Sequence, residues 1–168
     1  MLQTESISFK LPLGALFYDV RMRLYHLGEM LKRKDPDLAG IQAGEDEDGE
    51  ILMPFVETAL NRVKQAMLKR VGDLRTETGS ETPREILFTI RPHRRIPESD
   101  AQKVAELLRK AIHDYAVNLC LSEFLTVVSP QHAVPFLQKD EALLYEVTKC
   151  TACISSAIRR RATDLAGI

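Results

Sequence analysis

Between Leu52 and Val63 the apolar residues fall at Leu52, Phe55, Val56, Ala59, Leu60 and Val63. That is the three-and-four step of a single helical face. The five residues ahead of the stripe, 46–50, are four acids and a glycine. An acidic loop emptying into an amphipathic helix describes an element that must bury one side against others. Three further stretches carry the same periodicity, and together they constrain the chain to a largely helical fold.

The first stretch runs over about 12–34, with Leu13, Leu16, Phe17, Val20, Leu24, Leu27 and Leu31 in one stripe. Pro12 suits a first helical position, where its missing N–H has no partner to lose. Lys32, Arg33 and Lys34 complement the negative end of the helix dipole, and Asp35-Pro36 ends the element. Residues 35–50 hold seven acids and no base, with Gly40, Gly44 and Gly49 breaking any period. They read as a solvated loop. The second helix spans about 51–73, adding Ala66, Met67 and Val71. Residues 76–85 are polar and turn-rich, and Ile86-Leu87-Phe88-Thr89-Ile90 alternates as a short strand or extended arm does. Arg91-Pro92-His93-Arg94-Arg95 forms a basic knot.

A third helix is expected from Ser99, with Gln102 as its capping-box partner, to about residue 127. Its stripe is Val104, Leu107, Leu108, Ala111, Tyr115 and Leu119. Ser129-Pro130 and Pro135 bound a loop. A fourth helix over about 138–161 buries Leu143, Val147, Cys150, Ile154, Ala157 and Ile158. The expectation is an all-α fold: four long helices in a bundle-like domain, with a short extended β arm (76–98) between the second and third. At 168 residues and 45% apolar, the chain suits one domain with one core. Leu24, Phe55, Leu108 and Val147 are expected inside it.

Charge excludes some functions. The net charge is −1 with 28% charged residues, so no overall field draws the chain onto nucleic acid or a membrane. No apolar run approaches the ~18 residues of a membrane span. The start, Met1-Leu2-Gln3-Thr4-Glu5, lacks the basic and apolar regions of a signal peptide. Three cysteines make no disulfide framework, which fits a reducing, cytoplasmic setting.

Candidate sites were weighed against plainer roles. Cys150 and Cys153 have C-x-x-C spacing, but inside a helix rather than at the N-terminus that would activate a thiol. With Cys120 and His113, seven apart on one helical face, they could form a Cys3His zinc set. No second close-spaced pair supports this, and Cys150 fits a small core residue. The acidic run fails as a calcium loop, because aligning Gly49 to the sixth position puts Gly44 first and Phe55 twelfth, where carboxylates belong. The knot at Arg91, His93, Arg94 and Arg95 fits a solvated turn. Its next reading is contact with an acidic surface, such as the 35–50 loop of another copy, and nucleic acid comes third, since only Phe88 is near for base stacking. Arg159, Arg160 and Arg161 match a helix C-terminus. No catalytic or phosphate-binding motif occurs; His113 and Asp114 point apart on their helix, and His26 and His132 stand alone. The expectation is a non-enzymatic protein without cofactor or metal.

Asp46, Asp48, Leu52, Val56 and Ala59 stand where an acidic segment opens a helix. Pro97, Ala101, Leu107, Leu108, Ala111 and Tyr115 stand in a later helix that follows a proline and ends near an aromatic. This order resembles the small helical head–tail connector (neck) proteins of tailed phages and prophages, over roughly residues 45–125. The long first helix and the 138–161 helix depart from compact members, which leaves ring size open. The resemblance implies a homo-oligomeric ring under a portal, incorporated into a virion, with no active site. Contacts would run through the arm: Ile86, Phe88, Ile90, Arg91, His93, Arg94 and Arg95 meeting acids such as Asp46 and Asp48. The rival reading is a helical adaptor or regulator contacting nucleic acid or an acidic partner through the basic arm.

Overall fold

The computed structural model describes residues 3–32, 48–68, 70–78, 85–93 and 95–165, the side chains of 3, 32, 48–50 and 78 and of those beyond 152 excepted. The elements in chain order are β1 (Gln3–Thr4), β2 (Ile7–Pro12), α1 (Leu13–Lys32), α2 (Asp48–Leu68), β3 (Asp73–Thr78), β4 (Glu85–Arg91), β5 (Ile96–Pro97), α3 (Glu98–Val128) and α4 (Pro130–Leu165). Four helices dominate, as the periodicities require. The chain is mainly helical as expected; the short β arm expected between the second and third helices is enlarged to an antiparallel sheet of order β2-β4-β3, with a separate pairing of the two-residue strands β1 and β5.

The sheet is built into the core. Ile7, Phe9 and Leu11 of β2 face inward and alternate with Ser8 and Lys10 facing solvent. In register they oppose Ile90, Phe88 and Ile86 of β4. Phe9 and Phe88 stack at 5.1 Å with their rings 6° from parallel, a contact that adds to area burial. On its other side β4 pairs with β3, Leu74 opposing Ile90 and Thr76 opposing Phe88. The 86–90 stretch expected as a free arm is therefore the central strand.

Two other boundaries change. Pro12 closes β2 rather than opening a helix, so Leu13 is the first residue of α1. The second helix stops at Leu68, and Gly72 makes the turn into β3, its N–H donating to the Arg91 carbonyl at 2.8 Å. A Cβ at Gly72 would sit 3.2 Å from that oxygen, tight enough to favour glycine.

α3 is the axis of the molecule. Its residues 115–122 are buried all round, because β2, α1, α2 and α4 all pack on it. Pro97 caps its start with no side-chain hydrogen bond, so the expected Ser99–Gln102 capping box is not formed. Glu98 and Asp100 in the first turn complement the helix dipole instead. α4 starts at Pro130, eight residues before the expected point, and carries Pro135 inside it. Proline at a first helical position loses no bond; the expected 129–135 loop is one residue, Ser129.

One core joins residues from the three-stranded sheet and all four helices. Leu24, Leu108 and Val147 are buried as expected. Phe55 is only partly buried, against the rim of the core, and Leu107 is 51% exposed. The stripe on α3 is thus narrower at Leu107 than its spacing implied. No helix among the described residues is long and apolar enough to cross a membrane.

Candidate functional site

The arm residues separate into interior and surface groups. Ile86, Phe88 and Ile90 are 0–1% exposed on the inner face of the sheet. β4 has a strand on each side, so the contacts expected through Ile86, Phe88 and Ile90 are corrected: these side chains pack in the core and their strand has no free edge. Arg91 and His93 are exposed. Arg95 is ion-paired with Glu5 of the N-terminal segment, which gives that cation an internal use. Arg94 and Asp46 lie outside the described residues, as does the side chain of Asp48 at the head of α2. The expected meeting of residues 91–95 with the acidic loop of another copy therefore falls largely outside the described residues.

The histidines are partnered in ways spacing could not show. His113 Nε2 lies 2.8 Å from Asp19 Oδ2 on α1, 94 residues away in sequence. His132 Nδ1 is 2.7 Å from Ser129 Oγ. Among the described residues no group of three or more His, Cys, Asp or Glu is placed to hold a metal; the side chain of Cys153 lies outside them. Cys120 is fully buried, and burial pushes its thiol up to about 12. A thiol needs its thiolate to react, so Cys120 is expected to resist alkylation by iodoacetamide near pH 8 until the protein is unfolded. Mass spectrometry of native and urea-treated samples checks this; modification of Cys120 at the native rate of a free thiol would contradict it.

A polar cluster lies where α2, α3 and α4 meet. Arg62 of α2 donates to Asp140 Oδ2 of α4 at 2.9 Å. Asn118 of α3 donates through Nδ2 to the Phe136 carbonyl at 2.9 Å. The Tyr115 hydroxyl and Asp140 Oδ1 are buried without a hydrogen-bond partner in this structure. Burial raises the Asp140 carboxyl above the usual carboxylate range; Arg62 opposes that shift and Glu123 adds to it. Burial likewise raises the Tyr115 phenol. Buried polar groups of this kind fix one arrangement of the elements that carry them. Here Phe136 and Asp140 are both in α4, so the cluster holds the beginning of that helix on α3 and α2.

What it holds in place is an apolar corner. Val127 and Val128 end α3, and Val134 and Leu137 lie in the first turns of α4. All four are exposed, Val127 by 79%. The turn between them is pinned by Ser129 N–H donating to the Leu125 carbonyl at 2.7 Å and His132 N–H donating to the Ser129 carbonyl at 2.9 Å. Exposed aliphatic side chains that lie close together in the chain on a hydrogen-bonded turn are candidates for an interaction surface. Sequence reasoning missed the corner because Ser129, Pro130 and Pro135 read as a loop. The signal was present in four aliphatics within eleven residues. Family models, curated proteins and solved structures were compared with this chain, and none matches.

Proposed function

We propose that this chain is a non-enzymatic assembly subunit that associates with copies of itself or with a virion protein, in the manner of a head–tail connector. The observation that carries the reading is the α3–α4 corner, where Val127, Val128, Val134 and Leu137 face solvent on a turn held by backbone and side-chain hydrogen bonds. Leaving such a surface in water is unfavourable, and covering it recovers about 25 cal/mol per Å2 of apolar area. A turn already held by hydrogen bonds has less conformational entropy to lose on docking, so more of that burial appears as affinity. The spacing shared with connector proteins supports the reading independently of the corner. A net charge of only −1 permits self-association without strong repulsion.

Light scattering over a wide concentration range, alone and with a portal protein, tests the proposal. The expected result is a mass that rises with concentration or on addition of the portal. Replacing Val127, Val134 and Leu137 together with serine is expected to remove that rise while thermal stability stays close to wild type, since surface substitutions usually change stability by under ~0.5 kcal/mol. A chain that stays monomeric in every mixture, and binds duplex DNA with steep salt dependence through Arg91 and Arg95, would instead be the regulator.

A further inference from the structure

The two ends of the three-stranded sheet are not equivalent. β2 ends it on one side, where α3 packs along the strand. β3 ends it on the other, and no strand pairs with its far side among the described residues. Residues 73–78 make no main-chain hydrogen bond outside the sheet among those described. α2 meets β3 at the inner face, where Met53 and Leu60 lie across a small depression from Thr76 and Ile86. An outer strand turns alternate N–H and C=O groups away from its sheet, and that row is a template for another strand.

The residues of β3 alternate in kind. Leu74 and Thr76 oppose Ile90 and Phe88 on the inner face, and Arg75 and Glu77 oppose Thr89 and Leu87 on the outer one. Arg75 and Glu77 are both exposed. Charges on an outer strand commonly protect it by repelling a second strand. Here the signs alternate, which reverses the effect for an antiparallel copy. Centred on Thr76, two β3 strands set Arg75 of each opposite Glu77 of the other. Centred on Arg75 or on Glu77, the same strands set like charges opposite each other, which is unfavourable. Arg75 holds Asp73 through Nε at 3.0 Å, and the rest of its guanidinium fork can donate to a second carboxylate. Glu77 has no ion-pair partner among the described residues.

We propose that β3 pairs antiparallel with β3 of a second copy, on a two-fold axis through Thr76, so that the two sheets become one. The contact is isologous: the same strand serves both copies, and each Arg75–Glu77 pair has its equivalent across the axis. Main-chain hydrogen bonds hold the strands together, and the opposite charges set their register. Pairing over residues 74–78 is a small interface, and small interfaces are weak. It therefore acts beside the α3–α4 corner and not in its place. The inference rests on the self-association reading and names a second point at which copies meet.

Charge reversal tests the register. Sedimentation velocity over a wide concentration range compares wild type with R75E, with E77R, with an equimolar mixture of those two, and with R75E/E77R. Circular dichroism of each variant checks that it folds. R75E and E77R each turn both opposite pairs into like pairs, and each is expected to raise the association Kd at least about tenfold. In the mixture each variant meets the opposite charge on the other, and in R75E/E77R the pair is simply exchanged. Both are expected to return the Kd close to that of wild type. Single reversals that leave the mass rise of wild type unchanged overturn the β3 pairing while association through the corner stands. A loss that neither the mixture nor R75E/E77R restores overturns it as well, because register is then not what the charges set. A wild type that stays monomeric alone overturns the pairing, and one that is also monomeric with a portal protein overturns the self-association reading with it.

Discussion

Phe88→Ala is expected to lower stability by about 3–5 kcal/mol, the range for deleting a buried aromatic ring. Phe88 is completely inaccessible at the middle of the central strand. Its removal takes the stacking partner from Phe9 at 5.1 Å and leaves a space walled by β2, β3 and the helices behind them. The paired strands on both sides restrict collapse into that space, which places the cost toward the upper part of the range. For a chain of this length, each kcal/mol shifts the melting temperature by about 2–4 °C, so the expected fall is at least about 6 °C. Lys10→Ala, on the opposite face of the same sheet, is the control. Its pair with Glu85 is solvent-exposed on both sides and is worth at most ~1 kcal/mol. Urea unfolding of the two variants distinguishes them. A Phe88→Ala cost below that of Lys10→Ala would mean that the sheet is not part of the core.

Arg62→Ala is expected to cost about 1–3 kcal/mol, the price of leaving a buried polar group without its partner. The guanidinium is itself 45% exposed while the Asp140 side chain is 16% exposed, so the loss falls on the carboxylate. Oδ1 of Asp140 already lacks a partner, and removing Arg62 strips Oδ2 as well. Adding Asp140→Asn should recover most of the loss, because the stranded charge is then gone; a double-mutant cycle measures the coupling. pH gives the second readout. The Asp140 carboxyl is raised in the folded protein, chiefly by burial, so the folded state holds that proton more tightly than the unfolded chain does. Its contribution is fully present below the ordinary aspartate range near ~4 and is lost as pH rises through the raised folded value. Asp140→Asn should therefore gain on wild type between acid and neutral pH, and the Arg62→Ala defect should deepen over the same interval. Thermal melts of the four proteins from about pH 4 to 8 test both signs. A defect in Arg62→Ala that does not change with pH would show that the guanidinium acts through packing alone.

The helices were legible because their signal is local. A stripe at steps of three and four needs only the residues of one helix, and it identified Leu24, Leu108 and Val147 as core. Strand 86–90 was legible for the same reason, through its alternation. Its place in the sheet was not. β2 carries the same alternation over Ile7, Phe9 and Leu11, yet it runs directly into Leu13 and Leu16 of α1, and the helical stripe absorbed its end. β3, Asp-Leu-Arg-Thr-Glu-Thr, has only Leu74 to mark an inner face. It is a strand because β4 lies beside it, with Thr76 opposite Phe88.

The candidate sites divide along the same line. Sequence placed Arg91, His93 and Arg95 together as a basic group, but only the fold gave Arg95 to Glu5 and turned Ile86, Phe88 and Ile90 inward. Asp140 and Arg62 are 78 residues apart, and no periodicity within either helix encodes their meeting. The exposure of the aliphatics at the α3–α4 corner follows from which elements are neighbours. By itself, then, the sequence determined four amphipathic helices, one alternating strand and the absence of a strong net field. The tertiary structure decided that three segments pair into a sheet with β4 at its centre, and which polar groups are buried together. Helical hydrogen bonds close within four residues, so their pattern is written locally; strand pairing and buried ion pairs join distant residues, and only packing sets their partners.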